Sequence, residues 1–127
     1  KRNALCIALA MLLSLITIHP GPGDESKILA VLDSVRGLIA ANADCRDCLF
    51  TAVVGPGKSI CYMERWRTRE ALDRHLRSPL YCRVLEAIEL SRTPPTVEFF
   101  EIVGIGGLDL IESVRLHPMH ADISGRT

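Results

Sequence analysis

The chain has 127 residues, 48% of them apolar, enough for one compact domain with a single core and too few for two. Its 15 basic residues balance 15 acidic ones, with no long block of either sign, which excludes the electrostatic footprint of a nucleic-acid binder. No segment is repeated or low in complexity, so disorder and solenoid architectures are excluded as well.

Lys1 and Arg2 precede an apolar run over residues 5–18 that imitates a secretory signal. The run ends in Thr17-Ile18-His19-Pro20-Gly21, with no small-residue cleavage site. It also falls short of the roughly 20 apolar residues of a membrane span, so no membrane partner is expected. A long strand is the reading adopted, with Leu9, Met11, Leu13 and Leu15 on one face and Ala8, Ala10, Leu12, Ile16 and Ile18 on the other. A strand apolar on both faces needs cover on both. The chain's own helices supply one cover, and a second subunit is the simplest source of the other.

After the breaker His19-Pro20-Gly21-Pro22-Gly23, Asp24 is placed to cap a helix with Ile28, Val31, Leu32, Val35, Leu38 and Ile39 inward. Residues 48–54 and 59–66 read as two strands of an antiparallel hairpin, joined by Gly55-Pro56-Gly57-Lys58. Thr68 then caps a second helix with Ala71, Leu72, His75 and Leu76 on its inner side. Ser78-Pro79 interrupts it and starts a further helical piece, with Tyr81, Val84, Leu85 and Ile88 inward. Pro94-Pro95 ends that piece, and residues 97–103 form a fourth strand.

The predicted order is β-α-β-β-α-β, the split βαβ arrangement: an antiparallel sheet with both helices on one face. Residues 108–115, beyond the turn at 104–107, fit a short strand and a helical turn equally well. Because the fourth strand sends Phe99 and Phe100 to opposite sides, the face without helices is apolar too. Two such sheets packed face to face would form a closed, barrel-like core, and a homodimer is expected.

The run Glu64-Arg65-Trp66-Arg67-Thr68-Arg69-Glu70-Ala71-Leu72-Asp73-Arg74-His75-Leu76-Arg77-Ser78-Pro79 resembles the signature of the antibiotic biosynthesis monooxygenase family. Residues 15–22 resemble that family's first strand and its Pro-Gly exit, 45–50 the start of its second strand, 93–99 the lead into its fourth, and 107–115 its ending. The resemblance implies an α+β, ferredoxin-like sandwich that pairs as a dimeric α+β barrel. It covers one domain over 1–127, with a core at 7–116 and a mobile tail at 117–127. The activity implied is oxidation of a quinol- or anthrone-like aromatic by molecular oxygen, with no metal, flavin or other cofactor. A hydroquinone that loses a proton becomes a better electron donor, so a water-excluding pocket that holds the anion lets the substrate itself reduce oxygen. Such a protein needs a base, a donor for the oxyanion and an apolar box.

His75 is the candidate base, since an imidazole titrates near neutral pH and its spacing to Leu72 and Leu76 turns it toward the sheet. The competing reading is a half-buried histidine bonded to backbone. Glu64 shares a strand face with Tyr62 and Trp66 and orients or deprotonates a neighbour, unless it sits in a surface or interface ion pair. Trp66 either walls the substrate or caps the core, its N–H needing a partner in both cases. Tyr81 and Arg83, just past Pro79, offer a hydroxyl and a cation to a substrate oxygen, against core packing for Tyr81 and solvent for Arg83. Together with Tyr62 these residues make up the candidate binding set.

In heme-degrading relatives an axial histidine lies farther along this helix. The matching position here is Leu85, which cannot bind iron, so heme is disfavoured. His117 and His120 fall in the tail, where a surface metal site is only a weak reading. Cys45-Arg46-Asp47-Cys48 has redox or half-zinc spacing, yet it leads into a strand and no second such pair exists. A structural role is expected for that pair, and Cys6, Cys61 and Cys82 read as small core residues. An odd cysteine count without a framework points to a reducing cytoplasm. Two further function classes remain beside the oxygenase: a non-catalytic dimer that binds or senses a small ligand, and an isomerase, which would need a phosphate-cradling glycine loop that the 104–107 turn does not supply.

Overall fold

Among residues 10–53, 55 and 57–117, which the computed structural model describes, the chain runs β1 (Ala10–Ile18), α1 (Glu25–Ala40), β2 (Cys45–Val53), β3 (Ser59–Trp66), α2 (Arg69–Arg77), α3 (Tyr81–Glu89), β4 (Thr96–Val103) and α4 (Leu108–Leu116). The expectations placed on Cys6, Ala8, Leu9, Val54, Pro56, His120 and the tail beyond 117 lie outside the described residues. The strands form one sheet in the order β2-β3-β1-β4, with every neighbouring pair antiparallel. This is the α+β, ferredoxin-like split βαβ fold. No helix among the described residues is long and apolar enough to cross a membrane.

Register fixes what lies under the helices. Strand alternation sends Leu12, Ser14, Ile16 and Ile18 of β1 to the helix side, beside Ile60, Tyr62, Glu64 and Trp66 of β3. Three rows therefore cross the sheet beneath the helices: Glu101–Leu12–Trp66–Cys45, Phe99–Ser14–Glu64–Cys48 and Val97–Ile16–Tyr62–Phe50. Cys45 and Cys48 are three apart and would face opposite ways in a regular strand. A bulge between Cys45 and Asp47 absorbs the extra residue and turns both thiols inward.

Ile28, Leu32, Val35 and Ile39 of α1 bury fully against this surface, each contributing about 1.5–3 kcal/mol. Leu38, expected inward, is 65% exposed, because it lies at the edge of the stripe those four define. Asp24 stands at the N-cap but makes no side-chain cap bond, pairing instead with Lys27 at 3.8 Å. Thr68 does cap α2, its hydroxyl accepting from the Ala71 N–H at 3.1 Å. The break that follows has a simple cause: Ser78 is held extended (ψ 154°) by Pro79 and hands the chain to α3.

In α3 the buried residues are Tyr81, Val84 and Ala87. Leu85, expected inward, is 45% exposed. Residues 108–115, open between strand and helix from the sequence, lie within the helix α4, and none of its residues is buried. On the sheet face opposite the helices, Met11, Leu13, Leu15, Met63 and Ile102 are half-buried, while Phe100 is 42% exposed.

Candidate functional site

Glu64 is the polar centre of the core. Regular alternation along β3 leaves it no choice of face: Ile60 and Tyr62 point to the helices, and so must Glu64 and Trp66. Its side chain is 0% exposed, a placement that is costly for a carboxyl unless partners replace water. Three donors do so. Trp66 Nε1–H donates to Oε1 at 2.8 Å, the Tyr62 hydroxyl donates to Oε2, and His75 Nε2 lies 3.0 Å from the same oxygen. An ionised carboxyl accepts only, and three donors converging on one group fit that state.

His75 reaches this group because the Thr68 cap fixes the first turn of α2 and thereby the face that Ala71, Leu72 and His75 share. Trp66 and Tyr81 hold the imidazole between them. The Trp66 ring centroid is 4.6 Å away at an interplanar angle of 31°, and Tyr81 stands edge-on at 5.1 Å and 80°. With Nε2–H donated to Glu64, the lone pair of the ring sits on Nδ1, the nitrogen left free to take a proton. Burial, and then the Glu64 charge, push the Tyr81 hydroxyl up to about 12, so it remains an O–H at neutral pH.

Behind Glu64 the network continues through Tyr62 to Cys48, whose Sγ lies 3.3 Å from the Tyr62 hydroxyl oxygen. With the Tyr62 proton directed at Glu64, the thiol is the donor in that contact. Burial first, with Glu64 adding to it, raises Tyr62 far above the ordinary phenol range. Burial likewise pushes the Cys48 thiol up to about 11 and Cys45 to about 12. Thiols held protonated are poor nucleophiles and poor metal ligands.

Two cavities flank α2. One, of about 330 Å³, lies over the β1–β4 half of the sheet and is lined by Leu12, Leu72, Leu76, Phe99 and Phe100, with the charged Arg69, Asp73 and Glu101 also on its wall. The other, of about 250 Å³, reaches Trp66 and His75 from the opposite side of the helix. Arg69 Nε donates to Asp73 at 2.8 Å.

The structure thus brings Tyr62, Glu64, Trp66, His75 and Tyr81 into one cluster. Glu64 is not in a surface ion pair, and His75 pairs with a carboxylate rather than with backbone. Arg83 does not join them. It stands two residues past Tyr81 and so on another side of α3, exposed and paired with Glu86 at 3.1 Å. Cys82 is exposed and Cys61 half-buried on the open face, so neither is the core residue expected. His117, the last described residue, is exposed, and its ring Nδ1 lies 2.9 Å from the Ser113 carbonyl of its own helix. No group of three or more metal-ligating side chains is placed to hold an ion among the described residues. Two members of the central row escaped the sequence reading: Cys48 as a partner of Tyr62, and Ser14. The signal for Ser14 was a hydroxyl set in an otherwise apolar stretch of β1, on the same face as Ile16 and Ile18.

No protein-family model matches the chain, and neither does any curated protein sequence. Solved structures do. The Mycobacterium tuberculosis protein Rv0793 is 26% identical, with a TM-score of 0.66, over 76% of this chain and 99% of its own. A Caulobacter crescentus protein bearing the provisional name of antibiotic biosynthesis monooxygenase is 15% identical, with a TM-score of 0.67, over 82% of this chain and 100% of its own. A Bacteroides thetaiotaomicron protein described as a possible oxidoreductase is 14% identical, with a TM-score of 0.66, over 75% of this chain and 100% of its own. At these TM-scores, and with its four strands in one antiparallel sheet, the chain has the fold of the antibiotic biosynthesis monooxygenases.

Proposed function

We propose that the chain is a member of the antibiotic biosynthesis monooxygenase family, a homodimer that oxidises a quinol- or anthrone-like aromatic with molecular oxygen and no cofactor. The observation that carries this reading is the buried Glu64–His75 pair: a fully enclosed carboxylate holding an imidazole by one nitrogen, with aromatic rings on both sides of it. That arrangement suits a base whose conjugate acid is stabilised where it forms.

In the proposed reaction His75 Nδ1 takes a proton from a substrate hydroxyl, and Glu64 stabilises the imidazolium. The substrate anion passes electrons to oxygen. A carbon–oxygen bond forms, the oxygen–oxygen bond breaks, and the second oxygen atom leaves as water. For a quinol the balance is quinol plus O₂ giving hydroxyquinone plus water, with all four electrons drawn from the substrate. Trp66 and Tyr81 form the wall beside the base. Tyr62 holds Glu64 in place as a positioning residue. Arg83 has no part in this scheme.

The test is oxygen uptake with 1,4-naphthalenediol and with anthrone, compared with protein-free controls and with product analysis. The wild type is expected to consume one O₂ per quinol. His75→Ala and Glu64→Gln are expected to lower the rate by about 10²–10⁴-fold, the usual worth of a positioned base. Uptake no faster than the control would defeat the enzyme reading, and tight aromatic binding without uptake would make the protein a ligand-binding dimer instead. Uptake unchanged in His75→Ala would leave the reaction but remove the mechanism.

A further inference from the structure

The two cavities beside α2 differ in what they reach. The 330 Å³ cavity has Arg69, Asp73 and Glu101 on its wall, with Arg69 tied to Asp73 at 2.8 Å, and includes neither Glu64 nor His75. The 250 Å³ cavity, between α2 and the C-terminal end of α1, includes both His75 and Trp66. His75 comes to it with one ring nitrogen uncommitted. Nε2 lies 3.0 Å from Glu64, whereas Nδ1 bonds no protein group among the described residues. Ser14 Oγ is the single enclosed side-chain polar atom without a partner among those residues, so Nδ1 is not sealed in. The proton-accepting side of the buried pair therefore opens outward, beside this cavity.

The rest of the wall sets the chemistry of a ligand. Ile39, Leu80 and the Trp66 ring supply apolar surface, as does Leu38, which the core leaves 65% exposed. Arg74 is the one permanently charged side chain on the wall. Its guanidinium stands 3.7 Å from Asp44, beyond hydrogen-bond length, which leaves its N–H groups available. Asp44 itself does not line the cavity. Asn42 accepts from the Asp44 N–H through Oδ1 at 2.9 Å, so its amide Nδ2–H₂ is the group left to donate. The Ser78 hydroxyl is already donated to the His75 carbonyl at 2.7 Å. We infer that this cavity binds a single aromatic ring carrying both a hydroxyl and a carboxylate, the hydroxyl toward His75 Nδ1 and the carboxylate held by Arg74 and Asn42.

This inference rests on the function proposed above and narrows it to a substrate class. The volume falls just below the roughly 300–1,000 Å³ range of small-molecule sites, which suits one ring rather than a fused system of three. A guanidinium presents a planar fork that matches a carboxylate with two parallel hydrogen bonds. The other cavity lacks that offer, because its arginine is already engaged by Asp73.

The test compares 2,5-dihydroxybenzoate with 1,4-benzenediol, titrated calorimetrically against the full chain without oxygen. The wild type is expected to bind the carboxylate about tenfold more tightly, and Arg74→Gln to remove that preference while leaving diol affinity unchanged, the worth of a charge-assisted pair at a half-open site. Arg69→Gln, on the wall of the other cavity, should leave both affinities unchanged. The ring-proton resonances of His75 should shift with the same saturation curve. Equal affinity of the wild type for the two ligands overturns the inference, as does a preference that survives Arg74→Gln or is lost in Arg69→Gln instead. Binding that leaves the His75 resonances in place overturns it too, and so does failure of the wild type to bind either ligand. A carboxylate preference that depends on Arg74, without oxygen uptake by any diol, keeps this site while the oxygenase reading falls. Oxygen uptake with 1,4-naphthalenediol and no preference for the carboxylate removes the role of Arg74 and leaves the oxygenase.

Discussion

At the scale of single residues, the core carries more polar chemistry than its size requires, and its protonation states are held by burial. Cys48 and Cys45 titrate at about 11 and 12 in the folded chain against 9.0 for a free thiol. The direction matters for stability. Between pH 9 and 11 an unfolded chain has released these protons while the folded chain keeps them, so rising pH favours unfolding. Stability contributed by the two thiols is complete below pH 9 and is lost as the pH climbs toward their folded values. The expected loss is about 1.4 kcal/mol per pH unit for each thiol over that interval. Urea midpoints measured from pH 8 to 10.5 check this, and Cys48→Ala should flatten the slope by about its share. An equally steep slope in that variant would mean the thiol is solvated.

Alternation along β3 was enough to put Glu64 on one face with Tyr62 and Trp66. It could not show that three donors converge on the carboxylate, because the histidine arrives from a helix eleven residues later in the chain. Ser14 was hidden for a different reason. A hydroxyl in an apolar strand carries no mark of whether it finds a partner; only the pairing of β1 with both β3 and β4 determines that.

At the scale of elements, α2 is the part on which the site depends. Its capping residue was legible because Thr68 precedes a periodic run, and the hydroxyl does bond the Ala71 N–H. Thr68→Ala should cost about 1 kcal/mol, within the ~0.5–2 kcal/mol range of such caps, while Thr68→Ser should be nearly neutral. Because the cap fixes the turn from which His75 projects, the alanine variant should also weaken aromatic binding. Chemical denaturation and ligand titration on the pair check both effects. Equal stability of the two variants would show that α2 is set by packing alone.

Other elements were read less well, for physical reasons. At 100° per residue Leu38 lies about 90° from the centre of the stripe formed by Ile28, Leu32, Val35 and Ile39, so periodicity counts it in while the sheet does not reach it. Leu85 and Arg83 stand about 100° to either side of the buried stripe of α3, which removes one from the core and the other from the site. The inward turn of both Cys45 and Cys48 needed a bulge that spacing alone does not announce.

At the scale of the whole molecule, the face of the sheet away from α1–α3 decides how the chain lives in solution. The doubly apolar character of β1 was visible in its sequence, and the structure keeps it: Met11, Leu13 and Leu15 line that face, with Leu13 opposite Phe100 on β4 and Leu15 opposite Met63 on β3. Leu49 on β2 extends the same surface. On α4, Leu108, Ile111 and Val114 are exposed as well. Arg65, paired with Asp47, and Glu98 interleave with these side chains on the same face, yet a soluble monomer rarely leaves so many large apolar side chains together on one uncovered face. A second copy offers the same self-complementary surface under twofold symmetry, and two sheets packed on it would reproduce the inner layer of a sandwich. Sedimentation at micromolar concentration should therefore give twice the chain mass. Leu13→Glu, at the centre of that face, should yield a monomer that keeps its far-ultraviolet dichroism, because residue 13 points away from α1–α3 and their core. If the wild type sediments as a folded monomer, the apolar face has another occupant and the paired barrel is wrong. If Leu13→Glu remains a dimer, the subunits meet elsewhere, and the exposed side of α4 becomes the next surface to test.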